Sequence, residues 1–364
     1  MKILAIETSC DETAAAVIEG RGGKLKLLSN KVASQISLHK KYGGVVPEIA
    51  AREHVLNILP IIEEALKEAG LNKQNAHKQL SAIGVTIGPG LITSLMTGLE
   101  TAKTLSYAWN LPIVAVNHIE GHLYSNFIDN TPKLPAIILT VSGGHTQLVL
   151  MKDHLNYQTI GQTRDDAAGE AFDKAAQLLG LGYPGGPLIS QKAERYIKNI
   201  TKKKIKAANK ENSSKQADLT KTNLTKIILP RPMMYSKDYD FSFSGLKTAL
   251  LYEIKKDKNY KKRVEEYAYA FEQAVVDVLV HKTLKAALNY KVKSVMLAGG
   301  VAANKTLRER LKKEVTKANL SFAMPPMAYT TDNAAMIAAA AYFKFKAKKT
   351  TPWAKLRVDP GVEI

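Results

Sequence analysis

The first third of the chain alternates short apolar runs with polar or glycine-rich turns. KILAIE, then the polar stretch TSCDET, then AAAVIE, then KLKLLSNKVAS beyond Gly20, Gly22 and Gly23 predict three strands joined by tight turns. PEIAAREHVLNILPIIEEALKEAG carries apolar residues at helical spacing, with Pro47 near its start and Gly70 at its end, so it predicts a helix. AIGVTIG reads as a buried strand, Gly88-Pro89-Gly90 as a turn and ITSLMTGLETAKTLSYAW as a helix. PIVAVN is another strand, and HIEGHLYSNF opens the next helix.

The pattern then restarts. PAIILTVSGGHTQLVLM (135–151) is again strand, small-residue turn, strand. Helical stretches follow at AAGEAFDKAAQLLG and VEEYAYAFEQAVVDVLVHKTLKAAL; SVMLAGG is a strand ending in glycines. AANKTLRERLKKEV is a helix expected to start at Ala302, and DNAAMIAAAAYFKF is a last apolar helix. Two halves that each open with strand-turn-strand and continue into alternating helices and strands predict a duplicated α/β architecture. Such a fold places its ligand in the cleft between halves.

Length and composition change this picture little. The 364 residues suit two to three domains, and 45% hydrophobic with 23% charged residues is the balance of a soluble globular protein. No run approaches the roughly 18 apolar residues that cross a bilayer. The N-terminus turns acidic at Asp11 and Glu12, unlike a signal peptide, and the single cysteine, Cys10, allows no internal disulfide. A cytoplasmic location is therefore expected.

Charge adds a partner. The net charge of +19 points to an anion, with nucleic acid first. Lysine, however, outnumbers arginine 43 to 9, the balance of a solvated surface more than of a phosphate-reading one. Eleven basic residues against three acidic ones lie within 191–226 alone, and the stretch around 201–226 reads as a lysine-rich insertion. KKDKNYKKR (255–263) is an alternative docking patch or a solvated helix end.

Several constellations carry chemistry. Ser142, Gly143 and Gly144, followed by His145 and Thr146, suit a turn whose amides cradle a phosphate, although Ser-Gly-Gly also makes ordinary hairpins. Thr8, Ser9 and Thr13 put hydroxyls in the first turn, beside the carboxylates of Glu7, Asp11 and Glu12. Gly299-Gly300 lead from a strand towards a helix whose N-terminal end favours an anion, and GYPGGP (182–187) adds a second glycine-rich loop.

His118 and His122, four apart in HIEGH, share one helical face and can reach one ion. The zinc-protease signature places glutamate directly after the first histidine. Here Ile119 stands there, and Glu120 lies about 100° further round the helix. Asp332, just ahead of the last helix, is either that helix's N-cap or a third ligand facing the cleft. Two histidines and one carboxylate are a set used by iron and sometimes by zinc. No nucleophile stands out: Cys10 has no evident base, and Ser244 of FSFSGLK reads as a helix N-cap before it reads as half of a dyad with Lys247.

Taken in order, IETSCDETAAAVIE, GGVVPEIAAREH, IGPGLITSLMTGL, VNHIEGHLYSNF, LTVSGGHTQLVLM, DDAAGEAFDKAAQLLGLGYPGGP, DFSFSGLKTAL, LAGGVAANKTLRERL and TDNAAMIAAAAYF resemble the tRNA adenosine threonylcarbamoyltransferases, in wording closest to the bacterial branch. The resemblance implies an actin-like, sugar-kinase-like two-domain fold with an inter-domain nucleotide cleft. One half would comprise 1–132 with 326–364, the other 133–325. It implies transfer of threonylcarbamoyl from threonylcarbamoyl-AMP to the N6 amine of the adenosine 3′ of the anticodon (position 37), in tRNAs reading codons that begin with A.

By the same resemblance, one metal ion per subunit, iron or else zinc, falls on His118, His122 and Asp332, and the adenylate falls on Val141, Ser142, Gly143, Gly144, His145, Asp173, Gly186 and Asn304. Partners would be tRNA, a catalytically silent paralogue and a small ATPase. Ser190 stands where some relatives carry aspartate. Asp11 is the candidate general base. An ATP-dependent small-molecule kinase, a metallopeptidase and a non-catalytic scaffold remain as alternative readings.

Overall fold

The computed structural model describes residues 1–72, 74–210 and 224–364, with the backbone alone for 204–210. Part of the lysine-rich insertion, 211–223, thus lies outside the described residues.

The first half opens with β1 (Lys2–Glu7), β2 (Glu12–Arg21) and β3 (Lys24–Ser34), the three strands its alternation predicts. A short turn of helix, α1 (Ile36–His39), precedes α2 (Pro47–Glu68). Then come β4 (Ala82–Gly88), α3 (Ile92–Trp109), β5 (Ile113–Asn117) and α4 (His118–Ser125). The second half runs β6 (Ala136–Val141), β7 (Thr146–Asp153), β8 (Asn156–Gln162), α5 (Ala168–Leu178), α6 (Gly185–Lys210), α7 (Ser244–Lys256) and α8 (Val264–Asn289). It ends with β9 (Ser294–Ala298), α9 (Lys305–Lys317) and β10 (Ser321–Ala323), before α10 (Ala334–Lys346).

Duplication is explicit in the sheets. One is ordered β3-β2-β1-β4-β5 and the other β8-β7-β6-β9-β10, so each strand of the first half has a counterpart in the second. In both, the first three strands are antiparallel and the last two run parallel to the first.

Period-two alternation sorts side chains between layers. Leu4 and Ile6 face the core under α2 and α3, whereas Ile3 and Ala5 face a layer shared with the second sheet. On β6, Ile137, Leu139 and Val141 pack under α5 and α8, and Ile138 joins the shared layer. Each fully buried aliphatic side chain contributes about 1.5–3 kcal/mol of transfer free energy. That central layer holds α10, buried at every position from Ala334 to Phe343. A helix apolar on all sides has no solvent face, which suits a helix packed on α4, β1, β2 and β4. Among the described residues no helix is long and apolar enough to cross a membrane.

Three local expectations shift. The helix after Gly299 starts at Lys305, because 300–303 form a 3-10 turn and Asn304 is the cap. Asn333, not Asp332, caps α10, its side chain accepting from Met336 N–H. Ser244 is the first residue of α7 rather than its cap; Asp165 instead accepts the amides of Phe243 and Ser244 and both nearby hydroxyls.

Candidate metal centre and nucleotide cleft

The parallel strands β1, β4 and β5 end side by side, and α4 begins directly at the end of β5. Asn117 starts it with a capping box: its side chain accepts the amides of Ile119 and Glu120, and Glu120 reaches back to the Asn117 amide. Glu120 is thus occupied structurally. Its carboxylate also accepts Lys344 of α10 at 2.7 Å and the Tyr157 hydroxyl of β8, tying α4 to both halves.

All eight residues of α4 are buried, including both histidines. The two rings lie edge to face with centroids 4.7 Å apart. Asp332 reaches them from the segment before α10: its Oδ1 is 3.2 Å from His122 Nε2 and 3.5 Å from His118 Nε2. One potential ligand atom from each residue lies within 4.8 Å of the others.

Electrostatics sharpen this triad. Burial alone would lower the His118 pKa, but the carboxylates of Asp332 and Glu7 outweigh it and push it up to about 9. Asp332 is held well below the carboxylate range: burial opposes this, and the His118 and His122 imidazoles outweigh burial. His122 has no exposed side-chain surface; among the described residues its Nδ1 makes no hydrogen bond, and its Nε2 faces only Asp332 Oδ1. A buried, unsatisfied imidazole costs about 1–3 kcal/mol unless something occupies its lone pair. A cation between the three side chains would satisfy it, so the residues present fit a metal.

The first turn lies against the triad, with the Ser9 hydroxyl 3.0 Å from His118 Nδ1. Asp11 is buried beside Glu12, whose carboxyl is pushed up to about 10 by burial and then by the charges of Asp332 and Asp11. His54 holds this turn from α2, bonding the Thr13 hydroxyl at 2.8 Å and the Cys10 carbonyl at 3.0 Å.

The second turn faces it. Val141 and Ser142 are buried, and Ser142 closes the loop onto His145, amide to carbonyl at 2.8 Å. Gly143 and Gly144 sit exposed at the tip, where a Cβ would meet nothing within 4 Å. The turn rests on the start of α5, with the Gly169 and Glu170 amides donating to Ser142 and Gly143 carbonyls at 3.2 Å each. Burial first, then the neighbouring His118 and His122, push the His145 imidazole down to about 4.

Asp173, further along α5, accepts the Gly185 amide at 2.6 Å and so fixes the glycine loop containing Gly186 at the start of α6. Asn304 lies across from it, donating to Ser190 at 2.8 Å and to buried Glu272 at 2.7 Å. These contacts bring the predicted residues towards one another: His145 of the glycine turn neighbours His118 and His122, Tyr183 lies near both Asp11 and Asp173, and Asn304 is tied to α6 through Ser190. Sequence reading had not singled out Tyr183, whose hydroxyl is raised by burial and by Asp11 and Asp173, nor Glu272. Glu272 gave no signal, sitting within an ordinary helical apolar pattern.

Comparison with known proteins decides the family. A family model described as TsaD, tRNA N6-adenosine threonylcarbamoyltransferase, matches residues 26–339. Curated relatives of that name include one from Dehalococcoides mccartyi (strain CBDB1), 48% identical over 95% of this chain and 94% of its own length. Another, from Bacillus subtilis (strain 168), is 45% identical over 100% and 96%. The chain belongs to the tRNA N6-adenosine threonylcarbamoyltransferase family.

The threonylcarbamoyltransferases are transferases, and kinase and peptidase readings find no support among these relatives. More distant solved structures bear on the fold alone. T. kodakarensis HypF superposes with a TM-score of 0.59 at 13% identity, covering 96% of this chain and 48% of its own. Acidaminococcus fermentans (R)-2-hydroxyglutaryl-CoA dehydratase component A gives 0.50 at 15%, covering 96% and 100%. The duplicated α/β architecture expected from the chain's restarting pattern is the one observed.

Proposed function

We propose that the chain transfers threonylcarbamoyl from threonylcarbamoyl-AMP to the N6 amine of adenosine 37 in tRNAs reading codons that begin with A. The observation that carries the metal-assisted form of this reading is the buried cluster of His118, His122 and Asp332, whose potential ligand atoms lie within 4.8 Å of one another. Those three residues would hold one cation, iron or zinc by their donor set. When bound, it supplies Lewis-acid polarisation and a template for donor oxygens.

The chain's own residues do the rest. The open tip at Gly143 and Gly144 admits the adenylate phosphate, and Asp173, Gly186 and Asn304 position the nucleotide. The amine nitrogen attacks the carbamoyl carbon, the bond from that carbon to the phosphate oxygen breaks, and AMP leaves with the electron pair. Because the donor is already an activated anhydride, orientation and charge stabilisation suffice, and no serine or cysteine nucleophile is required. Incubation with threonylcarbamoyl-AMP and unmodified tRNA, with and without chelator, tests the reading: modification abolished by chelator and restored by metal supports it, and chelator-insensitive modification removes the metal from it.

Asp11 is proposed as the base that takes the amine proton, being a buried carboxylate of the first turn next to Glu12. Asp11→Asn is expected to lower the rate about 100-fold or more and to remove the acid limb of the pH–rate profile. An unchanged rate and profile would assign the proton elsewhere.

The half-boundaries proposed are 1–132 with 326–364 and 133–325; the packing of α10 on the first sheet supports them. A silent paralogue and a small ATPase are the proposed protein partners. Val55, Leu56 and Leu59 on α2, with Ile92 and Met96 on α3, are exposed apolar residues that suit a paralogous subunit. Leu56→Asp, at a position 68% exposed, should abolish co-purification with that subunit while leaving the thermal midpoint of the isolated chain unchanged; retained pairing would move the interface off α2.

A further inference from the structure

We infer that Glu7, the last residue of β1, is the positioning residue for the metal-facing histidine His118, fixing which ring nitrogen is free to ligate. The inference rests on the metal reading above.

Glu7 is fully buried, and every contact of its carboxylate is specific. Oε1 accepts the Ser9 amide at 2.5 Å. Oε2 accepts the Thr86 hydroxyl of β4 at 2.6 Å and lies 3.2 Å from His118 Nδ1. The first turn, β4 and α4 thus all hold one carboxylate. The Ser9 hydroxyl also lies 3.0 Å from His118 Nδ1. A hydroxyl either donates or accepts, so Ser9 alone leaves the tautomer open. The carboxylate closes it, because a bare Nδ1 lone pair would face its negative oxygen. With a cation in the site, Nδ1 therefore keeps its hydrogen against Glu7, and it is Nε2, on the side where Asp332 Oδ1 stands 3.5 Å away, that gives up its hydrogen to ligate.

A carboxylate behind a ligating histidine fixes ring orientation and raises ligand basicity. Here one end of the imidazole faces Glu7 and the other faces Asp332, which is the arrangement such a role needs. His122 has no such partner: its Nδ1 makes no hydrogen bond among the described residues. The two histidines are thus not equivalent, and orientation of the site depends on the Glu7 side. HIEGH alone does not distinguish them, since Glu7 lies 111 residues before His118.

The test measures Zn2+ affinity of the full chain by chelator competition, not catalysis. Glu7→Gln should weaken Zn2+ binding about 10–100-fold, because an amide there presents N–H to a donor on one side or the other. Thr86→Val, which loosens the clamp on Glu7 but keeps its carboxylate, should weaken Zn2+ binding less than Glu7→Gln does. An equal loss for both variants would make Glu7 merely structural and overturn the inference, as would an unchanged affinity for Glu7→Gln. If that variant does not fold, the Zn2+-loaded wild type carries the decision: with 15N-labelled histidine, long-range proton–nitrogen correlation should show hydrogen on Nδ1 of His118. Hydrogen on Nε2 overturns the inference. A wild type that binds no Zn2+ would instead remove the metal reading itself.

Discussion

His118→Ala is expected to strip bound metal and to lower threonylcarbamoyl transfer about 1,000-fold, some 4 kcal/mol of transition-state stabilisation. The reason lies in the number of ligands. With His118 gone, His122 and Asp332 remain as a two-point site, and Asp332 loses the imidazole that most strongly favours its ionised form. Two donors cannot hold a divalent ion against water and buffer as three do. The fold should tolerate the change, because α4 keeps its Asn117 cap and the link from Glu120 to Lys344. Metal content by elemental analysis and modified adenosine by nucleoside chromatography check both halves. A variant that folds, lacks metal and turns over at the wild-type rate would exclude His118, His122 and Asp332 from catalysis.

Gly299→Ala is the second large effect, and its origin is steric. Gly299 adopts φ 89° and ψ 166°, a region that only glycine occupies without strain. Its missing Cβ would also lie 2.7 Å from the Val141 carbonyl carbon and closer still to the oxygen. Val141 cannot retreat, being fully buried at the end of β6 between β7 and β9. The strain and overpacking together should cost about 2–5 kcal/mol, read as a lower thermal midpoint. The displaced turn should bind AMP more weakly as well. Gly143→Ala provides the contrast: open space around it predicts a normal midpoint with a loss confined to nucleotide binding. Equal midpoints for both variants would show that the ends of β6 and β9 are not locked at Gly299.

Much of this was legible along the chain because its signals are periodic or local. Alternation in KILAIE and AIILTV sorted side chains to two faces, and the spacing of His118 and His122 put both on one side of α4. The strands left unread had weak signals for identifiable reasons. β10 has three residues, and β8, NYQTIGQ, is a largely polar edge strand. The caps at Asn304 and Asn333 fell one or more residues from expectation because several small polar residues there can cap, and only the turn geometry chooses among them.

The candidate site divides the same way. Sequence alone set the displaced glutamate of HIEGH, and with it the absence of a base directly after the first histidine. It could not say what Glu120 does instead, which depends on Lys344 and Tyr157 arriving from α10 and β8. Nor could spacing choose between Asp332 as cap and Asp332 as ligand. That choice fell to α10 packing against α4 in the central layer, which carries Asp332 to both imidazoles and leaves Asn333 to cap. The chain by itself determined the halves, the helical histidine pair and the glycine turns, since each is encoded within a few residues. Only the tertiary structure joined Glu7, His118 and Asp332 into one line of charge, because contacts across 111 and 214 residues leave no periodic trace in sequence.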